Sequence, residues 1–368
     1  MNKFLPDVAY ITTGKLDSNA AVENGQYPFF TCAPTPSCID SYAFEEDAVL
    51  LAGNNAQGNF HISRYNGKFN AYQRTYVITA KEGYNIDYIG YSIELALAHL
   101  KKISQGSQTK FLTKQILDSF PIEDISLNEQ NKIAHILKSL DDKIIVNNET
   151  ISTLESLSKT LYDYYFLQFD FPDEKGRPYK SSGGKMEYNA ELGREIPAGW
   201  KVTCLKKYID IGNGKDHSHL PNGDYPVYGS GGLMRRVNQF LYDKESVLIP
   251  RKGTLNNVML VNGPFWTVDT MYYTILKNPN SINYVYQTVK LFNLEKLNTG
   301  SALPSMTANI IYNLKVPDAP LELINEYERA TKKLLSKLRT TENENRHLTA
   351  LRDFLLPLLM NGQVGFKK

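Results

Sequence analysis

The sequence predicts an α+β protein: two pseudo-repeated globular α/β units separated by two long helices that pack as an antiparallel coiled coil. Three observations carry this expectation. EQNKIAHILKSLDDKI (129–144) opens an amphipathic stripe whose apolar residues recur in steps of three, four or seven, at Ile133, Leu137, Leu140, Ile144, Ile151, Leu154 and Leu161. A second helix of the same kind stands 194 residues further on, where LTALRDFL (348–355) repeats LESLSKTL (154–161). The segments that precede the two helices also match each other, at offsets of 194 to 198.

Residues 1–125 read as the first globular unit and 196–320 as the second. GQYPFFT (25–31) resembles GDYPVYG (223–229), and EEDAVLLAGNN (45–55) resembles DKESVLIPRKG (243–253). YNGKFNAYQRTYVIT (65–79) resembles VNGPFWTVDTMYYTI (261–275), and GSQTKFLTKQIL (106–117) resembles GSALPSMTANII (300–311). Within each unit, β-branched and aromatic runs punctuated by Gly, Asn and Pro predict short strands, with helices over 87–104 and 281–293.

The first long helix is predicted in 126–170, opening at Ser126 with Glu129 three residues on as a capping box. Taken from 126 to 166 it would be roughly 60 Å long at about 1.5 Å per residue. Residues 171–195 read as a polar linker, and 321–368 as the second helix, entered through Pro320. Neither helix can bury its stripe within a small globular unit, so pairing with the other is the economical solution. The repeat relates Leu140 to Leu334, Ile144 to Leu338, Asn147 to Thr341 and Leu154 to Leu348. Asn147 breaks the apolar seam, and in an antiparallel pair it is expected to meet Thr341 or Asn345 near the middle, where a buried polar layer fixes register. Two similar units held apart by such a rod form a caliper.

Composition is that of a soluble globular chain, 42% hydrophobic and 22% charged, with room for more than one core. The absence of a long apolar run and of a secretory signal in MNKFLPDVAY points to a cytoplasmic protein with no membrane association. Cys32, Cys38 and Cys204 form no CxxC pair and no even framework, which suits a reducing compartment. Net charge is uneven along the chain: −3 over 1–125, −3 over 126–170, 0 over 171–200, +5 over 201–320 and +3 over 321–368. Only the second half has a basic excess suited to a polyanion.

No catalytic constellation emerges. A GxxxxGK[ST] loop, HExxH, GxSxG and the adenine-methyltransferase tetrapeptide are all missing. IGNGKDH (211–217) lacks the third Gly of a dinucleotide fingerprint, and His217 with His219 lacks a second ligand pair, so no metal site is expected. The chain is therefore read as carrying no catalytic site.

The informative positions are two matched loops that follow the VLL and VLI strands. The first offers Asn54, Asn55, Gln57, Asn59, His61 and Arg64 among glycines; the second offers Arg251, Lys252, Asn256 and Asn257. Asn and Gln pair bidentately with adenine, Arg and Lys with guanine, and Gly lets a backbone approach closely. A further set, Lys215, His217, His219, Arg235 and Arg236, reads as phosphate-positioning.

These features together resemble the specificity (S) subunits of type I restriction-modification systems. The residues that carry the resemblance are EQNKIAHILKSLDDKI (129–144), EIPAGWK (195–201), LLPLLMNGQV (355–364) and GKLDSNAAVENGQYPFFTC (14–32). The resemblance implies two target-recognition domains, 1–125 and 196–320, each reading one half of a bipartite site in double-stranded DNA. It implies that the helices set the half-site spacing and bind two modification subunits, which use S-adenosylmethionine to methylate adenine. A restriction subunit, where present, adds ATP- and Mg-dependent translocation and cleavage. The first domain lacks the IPxGW entry that precedes the second, which implies a trimmed leading edge. Its charge of −3 implies weak unassisted DNA affinity, with the modification subunits completing the grip. Two other readings remain open at this point: a coiled-coil scaffold whose domains bind protein or RNA, and the specificity chain of a fused methylase-nuclease of type IIB kind.

Overall fold

Ala48, Val49, Leu50, Leu51 and Ala52 are five consecutive apolar residues, all at most 2% exposed, and a strand buried on both faces belongs in the middle of a sheet. In the computed structural model, which describes residues 2–300 and 304–365, that strand (Phe44–Ala52) is central in a six-stranded sheet. The spatial order is Ala9–Thr13, Thr75–Ala80, Phe44–Ala52, Ile62–Ala71, Tyr27–Phe30 and Ser37–Ile39. All neighbours are antiparallel except Tyr27–Phe30 against Ile62–Ala71.

The second globular part repeats this order with one interruption. Ile209–Asn213, Met271–Leu276, Ser246–Pro250 and Met259–Val261 form one sheet, and Trp266–Thr267, Asn222–Gly229 and Gly232–Val237 form another. Its single parallel contact, Asn222–Gly229 with Trp266–Thr267, falls where the first part has one. The interruption has a local cause. Under the repeat, Lys68 in the unbroken strand corresponds to Pro264, which has no N–H to give a ladder and separates Met259–Val261 from Trp266–Thr267. Ser301, Ala302 and Leu303, within the predicted match 300–311, lie outside the described residues.

The chain divides into two compact units, Met1–Glu149 with Glu342–Lys368, and Thr150–Thr341. Both long helices, Leu127–Tyr162 and Leu321–Met360, contribute to each unit, because each core needs apolar cover that its own strands do not supply. In the first unit Ile133, Ala134 and Leu137 join Leu356, Leu359 and Met360 over Val49, Ile78, Tyr88 and Ile89. In the second, Tyr162, Tyr165 and Phe166 join Leu323, Ile324 and Tyr327 over Val247, Ile249, Tyr284 and Val285. None of the described helices is long and apolar enough to cross a membrane.

Ser126 does open the first long helix. Its Oγ accepts from Glu129 N at 3.3 Å, but the Glu129 carboxylate takes a hydrogen bond from that same hydroxyl rather than from the Ser126 amide, so the expected capping box is only half built. The predicted domain helices are present at Ile86–Leu95 with Leu97–Ile103, and at Ile282–Lys290.

The polar break also has a different partner from the expected one. Asn147, 3% exposed, donates to Glu344 Oε2 at 3.0 Å, and Asn148 accepts from Asn345 at 2.8 Å. Thr341, 1% exposed, returns its hydroxyl to Lys337 O at 2.9 Å in its own helix, the back-bonding common to helical threonines. Leu140, Ile144, Leu154, Leu334, Leu338 and Leu348 are all half-buried.

Residues 171–197 are ordered by aromatic stacking. The Phe171 ring lies parallel to Tyr179 at 4.8 Å and to Trp200 at 5.7 Å, and a hairpin pairs Met186–Asn189 with Arg194–Pro197.

Candidate nucleic-acid interface

In each unit the chain leaving the buried central strand crosses the segment that leads into the short helix near the end of the unit. In the first, Asn54 and Asn55 pair with Phe111 and Lys110, and Leu112 N donates to Gly53 O at 2.8 Å. In the second, Lys252 bridges to Ser305, Gly253 N donates to Pro304 O at 3.0 Å and Met306 N donates to Arg251 O at 2.8 Å. The two crossings are repeat-equivalent, and both carry residues singled out from the sequence.

The first loop is held by its own side chains. Asn55 Oδ1 accepts from the amides of Gln57 and Asn59 at 2.9 and 3.0 Å, an Asx-type turn that leaves Gln57 and Asn59 exposed. His61 is half-buried, and burial pushes its pKa down, so near neutral pH it offers a hydrogen-bonding imidazole rather than a cation. Asn54 is half-buried in the ladder.

Arg64 does not belong with them. Its guanidinium lies against the face of Tyr91 at 3.8 Å and pairs with Glu94 at 2.9 Å under the helix Ile86–Leu95. Its Nε is buried without a hydrogen-bond partner, 3.9 Å from Asp87, so the guanidinium is turned into the unit and anchors the strand to the helix rather than standing with the loop.

In the second loop Asn256 and Asn257 act on the backbone. Asn256 Oδ1 accepts from Leu294 N at 2.8 Å, and Asn257 Nδ2 donates to Ser230 O at 2.8 Å, drawing the hairpin around Ser230 up to the loop. Arg251 lies 5.8 Å from the Tyr272 ring and is half-buried, as is Lys252. The remaining set is spread along the neighbouring hairpin. Arg235 and Arg236 donate to the carbonyls of Leu220 and Asp224, Lys215 is exposed, and His219 is exposed beside Asp216 at 3.5 Å. The hydroxyl and amide of Ser218 hold the Asp216 carboxyl down to about 2, so a carboxylate stands between Lys215 and the two histidines. His217 Nδ1 is buried without a hydrogen-bond partner.

The repeat is also what a family comparison finds. A profile described as the type I restriction modification DNA specificity domain matches residues 1–156 and again 197–349. The chain belongs to that family. Each match takes in one globular part and most of the long helix after it. Among relatives of this family member, the EcoDI type I restriction enzyme specificity subunit of Escherichia coli is 40% identical over 239 residues, covering 60% of this chain and 50% of that protein. The chain thus spans about half the length of that relative. The MjaIX specificity subunit of Methanocaldococcus jannaschii is 24% identical over 315 residues, 78% of this chain and 71% of the relative. The crystal structure of a type I restriction-modification S subunit from M. genitalium shares the fold, with a TM-score of 0.67 at 15% identity over 98% of this chain and 95% of that one.

Two cations at the first crossing escaped the sequence reading. Lys101, in the last turn of Leu97–Ile103, donates to Asn59 Oδ1 at 2.6 Å, and Lys110 stands in the ladder opposite Asn55. They lie roughly 40 to 55 residues from the loop they meet, so a search for basic residues within the loop passes over them. A different signal was available. Residues 48–81 and 95–117 contain no Asp or Glu, yet hold eight of the ten basic residues in 1–125. The net charge of −3 therefore conceals a segregation of sign.

Proposed function

We propose that this chain is the DNA sequence-specificity subunit of a type I restriction-modification complex and is itself non-catalytic. The observation that carries the reading is the double family match, one per repeat, together with repeat-equivalent crossings that present amides and cations in both units. Each recognition domain reads one half of a bipartite site in double-stranded DNA. In the first, Asn54, Asn55, Gln57, Asn59 and His61 supply hydrogen-bonding groups suited to base edges. In the second, Arg251 and Lys252 suit guanine O6 and N7, with Asn256 and Asn257 shaping the loop. Lys215, Arg236 and His219 position phosphates.

The two long helices pack as an antiparallel coiled coil, set the half-site spacing and dock two methyltransferase subunits. The hydrogen bonds Asn147 to Glu344 and Asn345 to Asn148 support that register. S-adenosylmethionine belongs to the partner methyltransferase subunits, and ATP and Mg to a restriction subunit where one assembles. This reading places the protein in the cytoplasm, with its DNA.

A map of N6-methyladenine in a methylation-free host expressing the chain with its modification subunit tests the reading. The expected result is a bipartite motif with a fixed unread gap, one half of which changes when residues 196–320 are exchanged for those of another family member. Arg251→Ala should alter that same half alone. Co-purification of the two chains without any methylated motif would sink the proposal.

A further inference from the structure

We infer that Lys101 and Lys110 form the phosphate clamp of the first recognition unit, at the crossing equivalent to the one where the second unit presents its base-reading Arg251 and Lys252. The inference rests on the DNA-reading function proposed above and adds the residues that supply the first half-site's electrostatic hold.

The argument begins with the two crossings. In the second unit the cations are on the outgoing loop, at Arg251 and Lys252, and the facing segment is uncharged at Pro304 and Ser305. In the first unit the same loop positions are Gly53 and Asn54, and the charge has moved across the ladder to Lys110. Residue-by-residue alignment therefore sees a cation lost from the first unit, whereas the folded chain has it a strand away.

The second observation concerns Gly58. It has φ +70°, and a Cβ placed there would lie 3.2 Å from Lys101 Cγ and 3.2 Å from Lys110 Cγ. The two lysine stems thus converge on one bare point of backbone, and their charges extend from one patch. Neither lysine is paired with a carboxylate among the described residues. Lys114, four residues after Lys110, is by contrast paired with Asp118.

Two unpaired ammonium groups on one patch repel each other, and a polyanion relieves that repulsion while releasing its own condensed counterions. The patch is open: Lys101, Gln57 and Asn59 are exposed, and Lys110 is half-buried. Asn59, bonded to Lys101, places an amide beside the charge, so base-edge and backbone contacts would sit side by side. The ligand this fits is the phosphodiester backbone flanking the half-site read by the first unit.

The test compares the full chain, in complex with its methyltransferase partner, with the Lys101→Gln/Lys110→Gln variant. The ligand is a duplex carrying the methylated motif, titrated across a range of salt concentrations. Glutamine keeps most of each aliphatic stem, an N–H donor one bond shorter than lysine's and the Lys110 backbone pairing, while removing both charges. The expected result is a slope of log K on log salt shallower by about 2, with affinity near 0.1 M salt down roughly 10- to 100-fold and the motif unchanged. Lys101→Arg/Lys110→Arg should restore the slope. An unchanged slope in the glutamine variant overturns the inference, as does an equal loss on changing ion-paired Lys114 to Gln. If the unsubstituted complex shows no preference for any motif, the proposed function itself fails, and that arm is read before the variants.

Discussion

Arg64 and Arg352 share two carboxylates. Arg64 lies 2.9 Å from Glu94 and 3.9 Å from Asp141, while Arg352 lies 3.1 Å from Asp141 and 3.7 Å from Glu94. Tyr91 closes the node by donating to Asp141 Oδ2 at 2.6 Å. A strand, a domain helix and both long helices of the first unit are thus tied at one ionic point. Asp87 also lies 3.9 Å from Arg64, and under the repeat Asp87, Tyr91 and Arg352 correspond to the neutral Asn283, Gln287 and Ser158 of the second unit. There Asn283 donates to Ser158 Oγ at 3.1 Å and to Tyr327 OH at 2.8 Å, and Gln287 donates to Ser158 Oγ at 3.3 Å.

Arg352→Met keeps the aliphatic stem and removes the charge, leaving Glu94 to Arg64, and Asp141 to Arg64 and the Tyr91 hydroxyl. Because both carboxylates are about one-fifth exposed, the loss should be roughly 2 kcal/mol and should persist in high salt. Urea unfolding at low and high ionic strength measures it. A midpoint unmoved at either would show that the node is ornamental.

Asn283→Asp transfers the first unit's carboxylate into the second unit's neutral node. Asn283 is 0% exposed and its side chain donates to the neutral Ser158 and Tyr327 hydroxyls, so above the carboxylate's pKa the cost should be about 3 kcal/mol or more. Thermal unfolding across pH tests this, since the penalty should shrink on acidification as the carboxyl becomes neutral. A variant equally stable at all pH values would contradict the account.

Glu328 gives the second unit a stability that depends on pH. Burial raises its pKa to about 7, against the pull of the Tyr284 and Asn283 amides it accepts from, with Glu245 raising it further and Arg339 lowering it. The folded state favours the neutral form. Stability from this group is therefore full below the ordinary value of 4.5, declines as pH rises toward 7 and is lost above it. Glu328→Gln keeps the acceptor for Tyr284, as Gln130 does for Asn85 N in the first unit at 2.9 Å. It should stabilise by at most roughly 3 kcal/mol at pH 8 and by almost nothing at pH 4.5. Equal effects at both pH values would refute the titration.

Gly14 and Gly214 close the same corner in the two units. A Cβ would come within 1.8 Å of Ala71 O at Gly14 and within 1.9 Å of Val268 O at Gly214, backbone atoms that cannot swing aside. Each change to Ala should cost about 3 kcal/mol in its own unit. Limited proteolysis would locate the damage, and cleavage appearing in the other unit instead would break the equivalence.

Some of this was legible in the chain itself. That the two globular parts repeat one arrangement follows from segments that match along the sequence, though the strand order itself does not, and the two long helices follow from periodicity within a few turns. Ser126 was readable as a helix start because capping is decided over three residues. The split of one strand is likewise written at Pro264, which cannot donate to a ladder.

What the sequence determined by itself is therefore what local chemistry fixes: two repeats, two long amphipathic helices, and loops rich in amides and cations at matched positions. Only the tertiary structure decided which charges remain available. Arg64, placed by sequence in the reading loop, is drawn under a helix because Glu94 and Tyr91 offer it a better-matched site than solvent. Asn147, matched to Thr341 by the repeat, bonds to Glu344, because the partner of a helix residue depends on how the facing surface is turned. Lys101 and Lys110 reach the loop from helix and strand positions far along the chain. Periodicity is a property of neighbours in sequence, whereas an electrostatic site is a sum over neighbours in space, and that sum exists only once the chain has closed on itself.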